Sequence, residues 1–365
     1  MDGQASHAMT VNPDFWRGKR VFLTGHTGFK GSWLSLWLQS LGAEVHGLAL
    51  APSTSPNLFT VARVAKGLAS NTMGDIRDLV TVQKAMSSAQ PDIVIHMAAQ
   101  PLVRLSYAEP VETYATNVMG TVHVLEAARQ VKSVKSIVVV TTDKCYDNKE
   151  WAWGYREDEP MGGHDPYSSS KGCAELVTGA YRLSFLQSQG KAVATARAGN
   201  VIGGGDWTAD RLVPDILRAF EQNQPVIIRN PHATRPWQHV LEPLSGYLSL
   251  AEELYTQGQA FAEGWNFGPK DDDVRSVKWI VEYMSRAWAQ GASWQEDNFE
   301  HLHEANYLKL DISKAKARLG WQPRWPLASA LEHINNWHRA WLANEDMNQQ
   351  CLIQIRKFTS TIPHS

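Results

Sequence analysis

The chain has 365 residues, 43% of them hydrophobic, and a formal net charge of −2. This length allows two domains with a sizeable core, while the near-neutral charge gives no electrostatic reason to expect nucleic acid or a membrane surface as a partner. The three cysteines are scattered, which argues against a disulfide framework or a metal site and favours a cytoplasmic protein. The apolar runs are far shorter than the ~20 residues of a membrane span, which argues against a membrane anchor.

Strand and helix patterns alternate along the first half of the chain. Residues 1–14 are expected to form a flexible arm. The pattern then predicts strands at 19–25, 44–50, 91–99, 136–142 and 192–203, and helices at 32–42, 116–130 and 168–187. This alternation predicts an α/β fold with a Rossmann-like, doubly wound parallel sheet, which binds ligands at the carboxyl ends of its strands.

The composition changes after about Gly203. Segments such as GGGDW (203–207) and RNPHATRPWQHV (229–240) are rich in Gly, Pro, Trp, Asp and Arg, which is typical of a smaller, loop-rich region. Helices are expected at 241–255 and, as a pair around a Pro-rich turn, within 310–342. We therefore predict a sheet domain over 15–203 with returning segments at about 238–268, a substrate domain over 204–237 and 269–342, and a C-terminal tail over 343–365.

The stretch TGHTGFKG places Gly25, Gly28 and Gly31 between the first strand and the first helix. Glycines permit a tight turn and a close approach of the backbone to a pyrophosphate, and the helix N-terminus offers free N–H groups. Within a βαβ unit this motif predicts a dinucleotide site. His26 and Lys30 are unusual in such a loop, and Lys30 either contacts phosphate or another ligand, or is a solvated lysine.

The second strand does not decide between NAD and NADP. Its end, LALAPST, has neither an acid for a ribose hydroxyl nor an arginine for a 2′-phosphate, which predicts modest affinity for NAD. Asp75, in GDIRD, is either a partner of the adenine amine or the N-cap of a helix.

The stretch YSSSK places Tyr167 and Lys171 four residues apart, on one face of a predicted helix. A neighbouring ammonium favours the phenolate, so we expect Lys171 to lower the pKa of Tyr167. The phenol can then accept a proton from a sugar hydroxyl while a hydride leaves.

At these motifs the chain resembles the extended short-chain dehydrogenase/reductase family. The resemblance runs from about Phe15 to Leu342 and rests on TGHTGFKG, HMAAQ (96–100), TNVMGT (116–121), TTDK (141–144) and YSSSK (167–171). It implies a catalytic triad of Thr142, Tyr167 and Lys171. It also implies NAD as the cofactor, contacted by Tyr167 and Lys171 and by Gly25, His26, Gly28, Phe29, Lys30, Gly31, Asp75, Ile76, Ala98, Ala99 and Thr116.

The two residues after Thr142 narrow the resemblance to sugar-nucleotide 4,6-dehydratases. These enzymes generally carry Thr-Asp-Glu, in which Asp protonates the departing C6 hydroxyl and Glu removes the C5 proton. This chain has Asp143 and Lys144 there, so Lys144 is either the base or a loop lysine that neutralises charge. Asp143 has to be protonated, and burial should raise its pKa while the adjacent ammonium opposes that shift.

Longer segments resemble one family within that group, the CDP-glucose 4,6-dehydratases, whose pattern includes the Asp-Lys pair. They are GHTGFKGSWLSLWL, TTDKCYDNKEW, AGNVIGGGDW and RNPHATRPWQHVLEPLSGY. The resemblance therefore implies CDP-glucose as substrate, deoxysugar synthesis for O-antigen as the setting, and a homodimer or homotetramer built through helices 116–130 and 168–187. The choice of nucleobase rests on this resemblance alone.

A sugar nucleotide carries a diphosphate, which arginines bind through bidentate contacts. Arg211, Arg229 and Arg235 lie in the loop-rich region, and each is a candidate diphosphate ligand or a member of an ion pair. The resemblance supports Asn200 near the diphosphate, and Arg104 is a candidate for the sugar pocket. His303 and Tyr307 are further candidates for substrate contact.

Two other functions occur on the same fold. A sugar-nucleotide 4-epimerase needs Tyr167 and Lys171 but no acid after Thr142, so Asp143 argues against it. A non-catalytic cofactor-sensing protein would tend to lose the tyrosine, so the presence of Tyr167 argues against that function as well.

Overall fold

A computed structural model describes residues 11–289, 291–297 and 307–362. Its centre is a parallel sheet in the order β7-β6-β5-β4-β1-β2-β3. The strands are β1 (Arg20–Thr24), β2 (Glu44–Ala49), β3 (Ser70–Met73), β4 (Ile93–His96), β5 (Ser136–Val140), β6 (Ala192–Ala198) and β7 (Gly264–Phe267). The direction of strand addition reverses between β1 and β4, where such sheets open a ligand crevice. The predicted Rossmann-like fold is confirmed.

Helices and short strands surround this sheet. The α-helices are α1 (Pro13–Trp16), α2 (Phe29–Ser40), α3 (Leu58–Val61), α4 (Leu79–Ala89), α5 (Val103–Ala108), α6 (Pro110–Tyr114), α7 (Gly120–Gln130), α8 (Pro166–Tyr181), α9 (Leu212–Glu221), α10 (Leu241–Gln257), α11 (Val277–Trp288), α12 (Ser313–Leu319), α13 (Leu327–Leu342) and α14 (Met347–Ser360). Short strands pair as Val201–Ile202 with Gln238–His239, Val226–Ile228 with Trp294–Glu296, and Thr234–Arg235 with Arg275–Ser276.

Several predicted helices differ from the structure at their ends; the helix predicted at 32–42, for example, is Phe29–Ser40. The helix predicted at 116–130 begins with a π-helical turn, Ala115–Met119, before α7. The helix predicted at 168–187 begins earlier, as α8, because the Asp165 side chain accepts the Ser168 N–H at 2.9 Å and Pro166 occupies the first turn. It then continues as a second π-helical turn, Arg182–Leu186.

Both faces of the sheet are covered, which explains why β4 and β5 are buried along their whole length. Side chains of α2 and α10 pack on one face, and side chains of α4 and α7 pack on the other. A third hydrophobic cluster lies between α9, α11 and α13, with members drawn from 202–237 and 280–334. This separate cluster supports the division into a sheet domain and a substrate domain, which stays a prediction.

The described part of the N-terminal arm packs on α10. Trp16 is fully buried and its indole N–H donates to Glu252 at 2.5 Å, while the backbone N–H of Asn12 donates to the same oxygen at 3.0 Å. In the tail, α14 buries Cys351, Ile355 and Phe358. Among the helices of the described ranges, none has both the length and the apolar character needed to span a bilayer.

Candidate active site

A cavity of about 820 Å³ opens at the carboxyl ends of the strands. Residues that follow β1, β4, β5 and β6 line one side, and residues of the segments 206–215 and 226–237 line the other. A volume of this size suits a nucleotide-sized ligand. It is therefore the candidate active site.

The glycine loop between β1 and α2 requires glycine at two positions. Gly25 has φ +79°, and a Cβ there would lie 2.8 Å from the backbone nitrogen of Ala98. A Cβ at Gly31 would lie 2.0 Å from the carbonyl oxygen of Gly25. Gly28 is exposed, caps α2 and offers no side chain. The loop thus presents an open helix N-terminus with room for backbone contact, which fits the phosphates of NAD.

His26 lies inside the loop but faces away from the cavity. Its side chain is fully buried, Nε2 lies 2.7 Å from the Asn71 amide oxygen, and the ring occupies the space into which a Cβ on Gly47 would project. The side chain therefore shapes the loop, and only the backbone of His26 is left for the predicted contact with NAD.

Lys30 and Phe29 line the cavity. The pKa of Lys30 is lowered to about 7, chiefly by burial and also by the charges of Lys171 and Arg211, while Asp143 opposes the shift. Lys30 is half-buried and lines the cavity among other charged groups, which favours contact with a ligand over a freely solvated lysine, and that contact stays a prediction.

The remaining predicted cofactor residues lie at the same edge of the sheet. Asp75 accepts the Arg77 N–H at 2.8 Å and pairs with its guanidinium at 2.6 Å, and the hydrogen bonds from Arg77 lower the pKa of this carboxyl. The N-cap of α4 is Asp78, so the N-cap alternative for Asp75 is wrong. Contacts of NAD with Asp75, Ile76, Ala98, Ala99 and Thr116 stay predictions.

The end of β5 brings the predicted catalytic residues together. Thr142, Asp143, Lys144 and Tyr167 all line the cavity. The hydroxyl of Thr142 donates to Asp143 at 2.9 Å. Lys171, one turn after Tyr167 on α8, is buried and donates to the carbonyl oxygen of Val140 at 3.2 Å. The sequence motifs TTDK and YSSSK thus meet in one site.

The environment of Asp143 suits an acid. Its side chain is 2% exposed, and burial raises the pKa of its carboxyl, while Lys144, the Thr142 hydroxyl and Arg235 oppose the shift. The direction is the one expected from the sequence. Asp143 can therefore hold a proton beside the cavity at a pH where an exposed aspartate is ionised.

The expected lowering of the Tyr167 pKa is wrong for the chain alone. Burial raises the pKa of Tyr167 to about 12, and the hydrogen bond with Thr142 opposes the shift without overcoming it. Burial also lowers the pKa of Lys171 to about 8, against the charge of Glu175. The desolvation of the phenol therefore outweighs the effects of its neighbours.

Four predicted arginines line the cavity, and acidic neighbours hold three of them. Arg211 pairs with Asp206 at 2.9 Å. Arg104 and Arg229 both approach Asp210, at 3.4 and 3.7 Å. Arg235 is buried, and its charge lowers the pKa of Asp143. Arg104, Arg211 and Arg229 therefore form ion pairs and also line the cavity, so the two predicted alternatives do not exclude each other. Asn200 also lines the cavity.

The two remaining candidates for substrate contact are Tyr307 and His303. The hydroxyl of Tyr307 donates to the carbonyl oxygen of Ala152 at 3.2 Å, and Tyr307 is not among the residues that line the cavity, so its contact with substrate stays a prediction that the geometry does not support. His303 lies outside the described residues. Asp206 and Asp210 were not predicted, although both occur within five residues of Arg211 in the sequence.

The chain matches known proteins over most of its length. A family model described as GDP-mannose 4,6 dehydratase matches residues 22–334. CDP-glucose 4,6-dehydratase of Salmonella typhimurium is 59% identical over 342 residues, which cover 92% of this chain and 95% of that protein. UDP-glucose 4-epimerase of Halalkalibacterium halodurans is 27% identical, over 87% of this chain and 95% of that protein.

A solved structure has the same fold. The dTDP-glucose 4,6-dehydratase DesIV of Streptomyces venezuelae, solved with NAD bound, superposes with a TM-score of 0.76 at 23% identity, over 90% of this chain and 99% of that one. At this identity the match concerns the fold. With the family model covering residues 22–334 and the 59% identical relative, it is clear that the chain belongs to the GDP-mannose 4,6-dehydratase family of nucleotide-sugar-modifying enzymes.

Proposed function

We propose that this chain is an NAD-dependent hydro-lyase that converts CDP-glucose to CDP-4-keto-6-deoxy-glucose and water. The observation that carries the reaction class is Asp143, a buried carboxyl with a raised pKa in the cavity that also holds Tyr167. Elimination of the C6 hydroxyl needs a proton donor there, whereas epimerisation at C4 does not. The 59% identity to the Salmonella typhimurium enzyme supports CDP-glucose as the substrate.

The chemistry that bound NAD supplies is a hydride acceptor for C4 and a hydride donor for C6. The open N-terminus of α2 would hold its pyrophosphate, and Tyr167 and Lys171 would contact it near the reacting end. The end of β2 carries no acid for the ribose, and Leu50, the next residue, is 59% exposed. Loose binding is expected, so added NAD+ should stimulate extensively dialysed protein, and full activity without it would contradict this expectation.

The chain's own residues move the protons. Tyr167 accepts the proton of the C4 hydroxyl as the phenolate, so its pKa has to fall from the value of about 12 in the chain alone when cofactor and substrate are bound. Thr142 hydrogen-bonds the same substrate oxygen. The resulting 4-ketone acidifies the C5 proton, which a base removes. Asp143 donates its proton to the departing C6 hydroxyl, and water leaves. C5 loses one proton to the base and regains one when C6 is reduced. O4 gives one proton to Tyr167, and O6 receives one from Asp143. The protons therefore balance, and the net change in the substrate is the loss of one water.

Lys144 is the proposed base, since it lines the cavity next to Asp143. The alternative is that its charge only tunes Asp143, whose pKa it lowers. Lys144→Met and Lys144→Arg separate the two roles in a reaction run in D2O. A base is lost in both variants, and deuterium incorporation at C5 then falls in both. If Lys144→Arg keeps the wild-type rate of incorporation, the lysine is not the base.

The arginines of the cavity suit the diphosphate. Arg211 and Arg229 project from the segments that form one wall, and Arg104 projects from α5 on the other side. Guanidinium groups on both walls can contact phosphate oxygens through paired N–H donors. We propose these three residues, with Arg235 and Asn200, as the substrate-binding set.

A substrate panel tests the proposed function. Purified protein with NAD+ is given CDP-glucose, dTDP-glucose or GDP-mannose, and the 4-keto product is detected by its absorbance in alkali. The expected result is product from CDP-glucose, and Asp143→Asn is the matched control that lacks the proposed acid. Product from another sugar nucleotide but not from CDP-glucose would refute the substrate, and no product from any would refute the reaction.

We further propose a homodimer, or a tetramer of such dimers. Large apolar side chains are exposed along α6, α8 and the two π-helical turns, including Val111 at 76%, Leu176 at 64% and Leu183 at 70%. Several exposed apolar groups on neighbouring helices favour a helix–helix interface. Light scattering should give a dimer or tetramer mass, and Leu176→Glu with Leu183→Glu should reduce it. A wild-type monomer would contradict the proposal.

We place this activity in the bacterial cytoplasm, in deoxysugar synthesis for the O-antigen of lipopolysaccharide. The proposed product, a nucleotide-bound 4-keto-6-deoxy sugar, is a precursor from which further deoxygenation or amination proceeds. Deletion of the gene should leave lipopolysaccharide without its deoxysugar, as measured by sugar analysis, and an unchanged composition would contradict this role.

A further inference from the structure

A buried charged group lies directly behind the catalytic strand end and takes no part in the proposed chemistry. The carboxylate of Glu175, on α8, is 6% exposed and accepts two hydrogen bonds from the guanidinium of Arg197, at 2.9 and 2.8 Å. The hydroxyls of Thr141 and Thr195 donate to its two oxygens at 2.5 and 2.6 Å. Burial alone would raise the pKa of Glu175, but Arg197 and these hydroxyls lower it, so the carboxylate is ionised.

Glu175 and Lys171 form hydrogen bonds with two consecutive residues at the end of β5. Lys171 donates to the carbonyl oxygen of Val140, and Glu175 accepts from the hydroxyl of Thr141. Thr142, the next residue, lines the cavity, and its hydroxyl donates to Asp143. Because Glu175 follows Lys171 by one turn of α8, the two side chains lie on one helix face. A shift of Glu175 would therefore reach both Lys171 and Thr142.

Arg197 extends this arrangement across the sheet. It lies on β6, and its guanidinium also donates to the hydroxyl of Tyr146 at 2.7 Å and to the carbonyl oxygen of Glu157 at 2.9 Å. Tyr146 in turn donates to the amide oxygen of Asn266, on β7, at 2.7 Å. The ion pair thus joins α8 to the end of β5 and to β6 and β7, and each carboxylate oxygen of Glu175 has two donors.

We propose that Glu175 is a positioning residue for the reaction, which provides the counter-charge for Lys171 and fixes the strand end that carries Thr142. This inference rests on the proposed function, because it assigns Lys171 a role as a cation. Lys171 is buried, and a buried ammonium without a counter-charge loses its proton. Glu175 is the ionised carboxylate that opposes this loss, and Arg197 keeps it in place.

Other titratable groups also face Lys171. They are Tyr167 on the same helix, Cys145 after β5, His96 at the end of β4 and Lys30 on α2. Burial lowers the pKa of His96 to about 3, so this histidine is neutral, and burial raises the pKa of the Cys145 thiol. Lys30 adds a like charge when protonated. Among these neighbours, Glu175 is the one whose charge favours the ammonium near neutral pH.

The test compares the titration of Lys171 in Glu175→Gln with that in Glu175→Asp. The protein is labelled with 13C at lysine Cε, and the Lys171 resonance is assigned by its loss in Lys171→Met. We expect the titration midpoint of Lys171 to fall by about one pH unit in Glu175→Gln, as for the loss of a buried counter-charge, and to stay near the wild-type value in Glu175→Asp. An unchanged midpoint in folded Glu175→Gln would overturn the proposal.

Removal of Glu175 alone leaves Arg197 buried without its partner, and the variant can fail to fold. The double variant Glu175→Gln with Arg197→Met removes both charges at similar volume, and it should show the same lowered midpoint. With CDP-glucose as substrate, the alkaline pKa in the pH profile of kcat/KM should fall by the same amount in both variants. An unchanged alkaline pKa would overturn the claim that Glu175 acts on the reaction through Lys171. The resonance titration uses no substrate, so an inactive wild type would refute the proposed function and not the counter-charge.

Discussion

Gly31 and Gly28 form a matched pair of positions in the loop that we propose holds NAD. A Cβ at Gly31 would lie 2.0 Å from the carbonyl oxygen of Gly25 and 2.8 Å from the Cα of His26. Both neighbours are backbone atoms, which cannot rotate away as a side chain would. At Gly28 the nearest atom would lie 3.4 Å away, an ordinary contact, and its φ of −76° suits alanine. The two substitutions therefore add the same methyl group with very different consequences.

Gly31→Ala has to displace either the turn or α2 by roughly 1 Å, and overpacking against backbone costs about 3 kcal/mol, the upper end of the usual range. At roughly 2–4 °C per kcal/mol for a domain of 150–250 residues, the melting temperature falls by about 6–12 °C. Gly28→Ala changes only an N-cap and costs less than about 1 kcal/mol. Its methyl group covers the exposed N-terminus of α2, so NAD+ affinity should fall about tenfold or more.

Thermal unfolding followed by circular dichroism, without cofactor, measures the first effect. Titration with NAD+, followed by tryptophan fluorescence, measures the second. The expected pattern is a destabilised Gly31→Ala and a stable Gly28→Ala with weakened binding. If both variants melt within about 2 °C of the wild type, less than ~1 kcal/mol by the same conversion, the steric reasoning is refuted. If Gly28→Ala binds NAD+ as the wild type does, the proposed phosphate site is refuted.

Three further outcomes are expected. Asp143→Asn should lower kcat by about 10²–10⁴-fold with little change in KM, because a general acid is lost; a smaller loss in the 4-keto assay would contradict that role. Asp210→Asn frees Arg104 and Arg229 for the diphosphate, so KM for CDP-glucose should fall severalfold, and a rise would contradict the pairing seen at the cavity. Glu242 is fully buried, and burial raises its pKa to about 8, so stability falls as pH rises from the unfolded pKa of ~4.3 to about 8. Between pH 6 and 8 the loss is about 2.3 kcal/mol, because the slope of ~1.4 kcal/mol per pH unit declines as the folded-state pKa is approached, and Glu242→Gln should remove that slope in thermal scans.

The sheet was predictable where a strand is buried on both faces. The run Ile137–Val140 and the segment around Ile93 are apolar along their whole length, which is typical of central parallel strands. The edge strand β3, Ser70–Met73, was not predicted because its side chains are polar or exposed and its pairing partner, β2, lies well before it in the chain. Such a strand forms because it can pair with the open edge of β2, and this pairing cannot be predicted from the residues of β3 alone.

The candidate catalytic residues could be identified from the sequence because each lies within a short motif next to a strand end or helix start, and the structure brings these motifs to one cavity, while their catalytic roles stay proposals. The groups that tune them were not, because they are distant in the sequence. Arg104 meets Asp210 across 106 positions, and Arg197 meets Glu175 across 22. The sign of the Tyr167 shift was also beyond sequence reasoning, since it depends on how completely the fold excludes water from the phenol.

Lys144 affects how the proposed acid, Asp143, keeps its proton. Where a glutamate follows the aspartate, a second carboxylate raises the pKa of the first by repulsion. Here an ammonium is next in the chain, and it lowers the pKa of Asp143, as Arg235 does. Desolvation therefore has to be the larger effect, and the packing provides it: a Cβ on Gly199 would lie 3.2 Å from the Asp143 carboxylate and 2.5 Å from the ring of Pro236. Glycine at 199 therefore leaves room for both Pro236 and the carboxyl to pack closely against the backbone there. We expect the protonation of the proposed acid to depend on this packing, and a binding diphosphate would favour the neutral form further.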